Sequence, residues 1–331
     1  MQRVHQLDTD LKELLDRHPD LENASGAMPG TYSIKIDPTA KPVVHGPRRQ
    51  PAALLPKIVD KLKEMEKEGH LAKVMQPTDW VNSMVVSSRG EKIRICLDPA
   101  DLNKAVKREH YPIPTVEEIV AKIPDATVFT VLDAKSGYLQ MKLDYESSLL
   151  TTMNTPIGRY RWLKLPFGIK SAPEMYQRAM DEMLEGIDHA YAIMDDILVA
   201  GRDTSHHDSV LEKVLYRAKS YNLKLNFDKV RVRKQQVPYV GHIISAEGLK
   251  PDPEKVRAMK EMPPPTTKED VWRFLGSIQY LAKFLPILAE VENPLRELTK
   301  KDVLFHWDVP QAEAFQQIGR ASCRERVYVL V

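Results

Sequence analysis

Tyr191-Ala-Ile-Met-Asp-Asp-Ile-Leu-Val199 carries two adjacent aspartates, Asp195 and Asp196, with apolar residues on both sides. Two short apolar runs joined by a tight acidic turn predict a buried hairpin with carboxylates at its tip. Turns use aspartate for ordinary reasons, so the pair alone fits two surface residues equally well. The segment Val128-Phe-Thr-Val-Leu-Asp133 reads as another strand and ends in a third aspartate. Three carboxylates delivered by strand ends form a hard-oxygen set suited to Mg²⁺ or Mn²⁺, the set that in-line phosphoryl or nucleotidyl transfer uses. Consecutive side chains of a flat strand point to opposite faces. Asp133 and Asp195 are therefore the expected main ligands, with Asp196 secondary. Carboxylates this close repel by roughly 4 kcal/mol per pair at ~4 Å and an effective dielectric near 20, which a divalent cation would relieve.

At 331 residues the chain exceeds one usual core and is expected to form two or three lobes. Apolar residues make up 43% and charged residues 28%, the balance of a globular protein. The net charge of +2 announces no nucleic-acid partner, so any such partner must be argued from local charge. Two cysteines, Cys96 and Cys323, exclude a disulfide framework or zinc knuckle by counting. The opening Met-Gln-Arg-Val-His-Gln does not resemble a signal peptide, and no apolar run is long enough for a membrane span. An intracellular, cytoplasmic setting without membrane contact is expected.

Several elements are legible by pattern. Leu7, Leu11, Leu14 and Leu15 predict a short amphipathic helix over 7–19, and residues 38–56, rich in proline and basic residues, an extended segment. A helix is expected over about 52–68. A hairpin is expected over 80–98, with its turn at Ser87-Ser-Arg-Gly90. Tyr111-Pro-Ile-Pro-Thr115 reads as a linker into a helix with a capping box, Thr115 to Glu118. Helices are expected over 171–187 and 206–221, a strand over 223–227, and helices after Pro251 interrupted by Pro263-Pro-Pro265. Strands and helices mix without regular alternation, so the expected class is α+β.

Around the acidic cluster, Ser136 and Gly137 follow Asp133 in a turn whose backbone N–H groups suit a triphosphate, with Tyr138 beside the sugar; a plain turn with a core tyrosine is the alternative. Arg89, Lys92 and Arg94 on the hairpin suit phosphate oxygens, although basic residues also protect ordinary sheet edges. Leu165-Pro-Phe-Gly-Ile-Lys-Ser-Ala-Pro173 allows close ligand approach at Gly168 and then starts a helix. From Lys219 to Lys234 six basic residues, Lys224 and Arg231 among them, face one acid, Asp228. That density suits a phosphate backbone, and a solvated face is its common alternative.

Taken in order, these segments closely resemble the reverse transcriptase of gypsy-type long-terminal-repeat retrotransposons. The matching landmarks are Lys92-Ile-Arg-Ile-Cys-Leu-Asp98 with Leu102-Asn-Lys104, Tyr111-Pro-Ile-Pro-Thr115, Val131-Leu-Asp-Ala-Lys-Ser-Gly-Tyr138 and 165–173. Met194-Asp-Asp-Ile-Leu-Val199, Leu223-Lys-Leu-Asn226, Tyr239-Val-Gly-His242, Arg273-Phe-Leu-Gly276 through Tyr280, and Pro294-Leu-Arg-Glu-Leu298 complete the series. The resemblance covers about residues 30–317. It implies a right-hand polymerase fold with a ferredoxin-like palm sheet. The implied parts are an N-terminal extension 1–30, fingers 31–108 and 142–169, palm 109–141 and 170–246, and thumb 247–300. A stretch at 301–317 would begin a connection to a ribonuclease H region.

The resemblance further implies two Mg²⁺ or Mn²⁺ ions on Asp133, Asp195 and Asp196, and an RNA or DNA template with its primer. Deoxynucleoside triphosphates would be gripped by Arg94 with Lys92 or Arg89, and Tyr138 would exclude ribonucleotides. Phe167 and Gly168 would lie near nucleotide and template. Val240, Gly241 and His242 would hold the primer, and Lys229 would donate a proton to pyrophosphate. Where the family usually has tyrosine two positions before the first aspartate, this chain has Ile193. No Asp-Ser-Gly or Asp-Thr-Gly protease motif occurs, and no ribonuclease H or integrase activity is expected. From Ile318 the sequence breaks from the family pattern and resembles translated adapter sequence, so 318–331 is expected to be a non-native tail.

Overall fold

The structure, a computed structural model, describes residues 9–22, 24–90, 92–284 and 288–321. The chain divides into two units. The first comprises Met1–Pro114, Leu132–Val199 and Asp208–Val232, and the second Thr115–Val131, Ala200–His207 and Arg233–Val331. In chain order the strands are β1 (Leu71–Lys73), β2 (Ser83–Arg89), β3 (Lys92–Asp98), β4 (Val128–Asp133), β5 (Met153–Thr155) and β6 (Gly158–Trp162). They continue with β7 (Ala190–Ile193), β8 (Asp196–Gly201), β9 (Arg231–Lys234), β10 (Gln236–Tyr239), β11 (His242–Ser245) and β12 (Gly248–Pro251). Four sheets result, ordered β1-β6-β5, β2-β3, β7-β8-β4-β9 and β10-β11-β12. Helices interrupt them irregularly, as an α+β chain requires.

The hairpin expected over 80–98 is present, but its turn is shorter than the polar run suggested. Arg89 pairs with Lys92, so Ser87 and Ser88 are exposed strand positions facing Arg94 and Ile93. Gly90, at φ 60°, supplies the positive dihedral that a two-residue turn needs. The strand expected over 223–227 does not form. Asn222 turns the chain at φ 51°, Leu223 N–H closes on Ala218 O at 2.9 Å, and Lys229 N–H closes on Asn226 O at 3.0 Å. These local bonds satisfy the backbone, leaving one bridge between Leu225 and Ala134. The first helix is Thr9–Arg17, and the part of its expected range before residue 9 lies outside the described residues.

The first unit is organised on the helix Ala172–Leu184. Pro173 sits in its first turn, where a missing N–H costs nothing, and Gly186 at φ 75° follows its end. Its stripe of Met175, Ala179 and Met183 is buried, as expected, yet the helix is buried on its other faces too, at Tyr176 and Met180. Glu174 is only 2% exposed. Its carboxylate accepts from Arg108 Nε at 2.7 Å and from the N–H groups of Glu109 at 2.8 Å and His110 at 3.1 Å. The proline linker at 111–115 is thereby tied to the helix, with Tyr111 Oη donating to Asp181 at 2.8 Å.

In the second unit β10, β11 and β12 form an antiparallel meander. The capping box at Thr115 and Glu118 forms as expected, and helices Pro253–Lys260 and Lys268–Gln279 flank the proline run. Val271, Phe274 and Ile278 bury one face of the latter. Residues 318–321 continue the helix Val309–Ala321 with Ile318 buried, whereas 322–331, Cys323 included, lie outside the described residues. No helix of the described residues is long and apolar enough to cross a membrane.

Burial pushes the Glu174 carboxyl up, but the Arg108 guanidinium and the two amides outweigh it and hold the group below its ordinary value. A carboxylate depressed on folding contributes stability above its unfolded value, and that contribution disappears as pH falls through the folded one. Glu174→Gln should cost about 1.5–3 kcal/mol at pH 7, the range for hydrogen bonds to a charged group. The difference from wild type should shrink below about pH 4, where unfolded glutamate protonates; melting curves across pH 3–7 check this.

Candidate active site

Ile193 pairs with Asp196, so the acidic hairpin closes through a two-residue turn, Met194-Asp195. Met194 has φ 55°, uncommon for a residue with a side chain. Gln177, fully buried, holds the turn: its Oε1 accepts from Met194 N–H at 2.9 Å, and its Nε2 donates to Ala192 O at 2.8 Å. On the neighbouring strand, Ala134 N–H donates to Asp195 O at 2.7 Å, and Asn226 N–H donates to Asp133 O at 2.8 Å. The backbone thus sets Asp133 between the acidic turn and the segment at 224–226. Asp195 lies in the turn and Asp196 opens β8, so the alternation of a flat strand does not govern the pair.

The three carboxylates feel one another. Burial raises Asp195 to about 6, with the Asp133 charge next in effect and Asp196 adding to it. The Tyr176 hydroxyl and the Lys229 ammonium pull the other way. Burial, then Asp133, also raises Asp196. Asp133 Oδ2 accepts from Lys229 Nζ at 2.7 Å and its Oδ1 from Asn226 Nδ2 at 3.0 Å. The hydrogen bond to Asp133 in turn raises the Lys229 ammonium. Asp195 Oδ1 and Tyr176 Oη are both buried and face each other without a hydrogen bond of regular geometry.

Ser136, at φ 54°, turns the chain into the short helical turn Gly137–Gln140. Gly137 is where the two halves of the site meet, because a Cβ there would overlap Asp195 Oδ1 and Tyr176 Oη. Tyr138 is half-buried, with its ring 4.9 Å from Phe167 and 5.3 Å from Tyr176. Burial and the Asp195 charge push its hydroxyl up to about 12. Phe167 is 46% exposed, and Gly168 turns beside it at φ 104°. Arg94 is exposed on β3, whereas the side chains of Arg89 and Lys92 lie outside what the structure describes. Lys224 has its backbone pinned by Gln140, and Arg231 is exposed. The basic run is partly neutralised, since Lys219 pairs with Asp20.

Within the second unit, Val240-Gly241 forms the turn between β10 and β11, with φ 45° and 74°. Both values are positive, as a type I′ turn requires, although Val240 is β-branched. Tyr280 Oη donates to Gly241 O at 2.6 Å and accepts from Asp252 N–H at 2.8 Å. His242 is buried, with its ring 5.1 Å from Tyr280 and 6.0 Å from Phe284. Burial and then Lys283 lower its pKa.

Sequence reasoning missed Gln177, Tyr176, Asn226 and Gln140. Asn226 stood inside the quoted Leu223-Lys-Leu-Asn226 without a role. Gln177 gave no signal, because a helix buried on several faces does not mark its polar positions by period. Gly137→Ala should displace Asp195, because the buried Tyr176 ring cannot yield. The overlap in a packed interior should cost about 1–3 kcal/mol and lower the melting temperature by several degrees, which thermal unfolding of Gly137→Ala beside wild type checks.

Residues 86–244 match the family described as reverse transcriptase (RNA-dependent DNA polymerase). The chain is 29% identical over 97% of its length to the retrovirus-related Pol polyprotein from transposon 297 of Drosophila melanogaster, spanning 31% of that protein. It is 37% identical over 67% of its length to the Pol polyprotein from transposon opus of the same fly, spanning 22% of it. The Tf2-3 transposon polyprotein of Schizosaccharomyces pombe is 33% identical over 71% of the chain, which spans 18% of that protein. The chain thus spans less than a third of the length of these curated relatives. A foamy viral protease-reverse transcriptase in complex with RNA/DNA hybrid superposes with a TM-score of 0.84 at 19% identity, covering 96% of this chain and 44% of that one. Its complex with dsDNA gives 0.83 at 20% identity, covering 96% and 68%. The fold is therefore the right-hand polymerase fold, and the chain belongs to the reverse transcriptase family, as the Pol polyproteins of gypsy-type long-terminal-repeat retrotransposons carry it.

Proposed function

We propose that this chain is the RNA-directed DNA polymerase segment of a retrotransposon Pol polyprotein, adding deoxynucleotides to a primer 3′ end. The observation that carries the reading is the meeting of Asp133, Asp195 and Asp196 on adjoining strand ends, with Tyr138 packed beside them through Gly137 and Tyr176. In this reading 31–108 and 142–169 are fingers, 109–141 and 170–246 palm, and 247–300 thumb. The foamy viral relatives bound to RNA/DNA hybrid and to dsDNA support a template-primer as partner.

The donor set fits hard divalent cations: three oxygen ligands in one repulsive field, with Asp195 Oδ1 buried and unsatisfied. Among the described residues no three His, Cys, Asp or Glu side chains are placed so that together they could hold a metal ion, and Lys229 pairs with Asp133 instead. Two Mg²⁺ or Mn²⁺ ions held by Asp133 and Asp195, with Asp196, would activate the primer 3′-hydroxyl and stabilise the pyrophosphate leaving group. The chain's own side chains do the rest. Arg94, with Arg89 and Lys92, neutralises the triphosphate, and the Ser136-Gly137 backbone receives its oxygens. Tyr138 closes on the sugar and excludes a 2′-hydroxyl by volume, with Phe167 and Gly168 forming the nucleotide and template floor. Lys229, its side chain 64% exposed, gives a proton to pyrophosphate. Val240, Gly241 and His242 hold the primer, while Lys224 and Arg231 meet the phosphate backbone.

Primer extension on a poly-rA template with Mg²⁺ tests the reading, with Asp133→Asn as the dead control. Incorporation well above that control is expected. Template-primer binding without such incorporation would mean a nucleic-acid-binding relic instead. Tyr138→Val should raise the ribonucleotide share of incorporation about tenfold or more, a difference of roughly 1.4 kcal/mol in selectivity; unchanged sugar discrimination removes Tyr138 from this role. Replacing Lys224 and Arg231 by alanine should flatten the log–log salt dependence of template binding by up to about 2, and an unaltered slope would leave them as solvated surface.

A further inference from the structure

Leu102-Asn-Lys104 takes no part in the chemistry above, yet Asn103 shapes the loop that carries Phe167. Its Nδ2 donates to Gly168 O at 2.8 Å and its Oδ1 accepts from Lys170 N–H at 2.8 Å. One amide side chain thereby satisfies the backbone at both ends of 168–170. Asn103 is itself fixed, because its N–H donates to Pro99 O at 2.7 Å, and Leu102 and Ala105 are buried on either side of it. The loop also lies hard against the end of β3, where a Cβ at Gly168 would stand 3.0 Å from Leu97 O and 3.2 Å from Pro99 Cδ. Phe167 precedes this clamp. At 46% exposed, its ring is not held by core packing, and it rests on Tyr138 at 4.9 Å.

We infer that Asn103 is a specificity-positioning residue. Through the clamp on 168–170 it holds Phe167 against Tyr138 and so fixes the ring that selects the nucleotide sugar. The inference rests on the sugar-selecting role proposed for Tyr138. The clamp needs one donor and one acceptor side by side in a plane, which an asparagine amide offers. Aspartate has the shape but no donor, and would set a negative oxygen against Gly168 O. Alanine removes both bonds.

Two measurements on Asn103→Ala and Asn103→Asp test the inference. In Asn103→Ala, which removes the acceptor of Lys170 N–H, amide hydrogen exchange of the peptide covering 166–171 should quicken about tenfold, the order of one lost hydrogen bond, with helix 172–184 unchanged. The ratio of kcat/KM for ribonucleotide over deoxynucleotide should rise at least about fivefold, mainly through KM. In a Tyr138→Val background the same substitution should add little, because the two positions act in series. Unchanged exchange at 166–171, or an unchanged sugar ratio in a folded variant, overturns the inference. Should wild type incorporate nothing beyond Asp133→Asn, the polymerase reading fails separately. The sugar preference is then read from equilibrium binding of dTTP and UTP to the protein–template-primer complex, and equal preference in wild type and Asn103→Ala again overturns the inference.

Discussion

Three carboxylates crowded on adjoining strand ends are the constraint the first unit is built to hold. Their mutual repulsion comes second to burial among the causes acting on Asp195, and it counts against a whole-domain stability of about 5–15 kcal/mol. The strain registers in Asp195, which burial and its neighbours raise to about 6. Side-chain attraction alone does not hold such a group. Backbone bonds do: Ala134 N–H to Asp195 O on one side of β4, Asn226 N–H to Asp133 O on the other, and Gln177 across the turn. The acids cannot separate without breaking the sheet that carries them.

The helix Ala172–Leu184 supplies much of that rigidity through three buried polar residues near its start. Glu174 anchors the chain at 108–110, Tyr176 faces Asp195, and Gln177 pins the acidic turn. Buried polar groups are costly when left unpaired, so a helix that buries three of them gains stability only when their partners arrive. Glu174 and Gln177 are met in full. Tyr176 is not, and its hydroxyl stands beside Asp195 Oδ1, a buried carboxylate oxygen that is also unsatisfied. The unpaired polar atoms of the helix therefore sit where an ionic ligand is expected, and the paired ones are structural.

The acidic hairpin was legible because apolar runs around Asp-Asp admit few other readings, and the end of β4 fell where the sequence placed it. Capping at Thr115 and the helices beside the proline run were legible from local chemistry. The strand expected over 223–227 failed because Leu223 and Leu225 alternate like a strand, while Asn222 and Asn226 spend the backbone on turns. Alternation reports which side chains go inward and says nothing of what the N–H groups bond to. For the same reason Gln177, Gln140 and Asn103 were illegible as organisers. Their work is done on backbone atoms 17, 84 and 65 positions away, a separation that no local pattern records.

The pairing of Lys229 with Asp133 shows how the site tolerates its own charge. Asp133 is almost enclosed, with 11% of its side chain exposed, whereas Lys229 is 64% exposed. Because Asp133 is buried, removing the ammonium would leave its carboxylate without that partner, a larger cost than an exposed surface pair carries. The ammonium also offsets part of the carboxylate repulsion. A buried partner such as arginine would bind the carboxylate more firmly and would cost several kcal/mol to remove. On the proposed reading, a lysine on a flexible stem, with one end in water, can move aside for a divalent cation and stay within reach of the phosphates. In that reading, this mobile cation holds the acidic cluster together until a divalent cation takes its place.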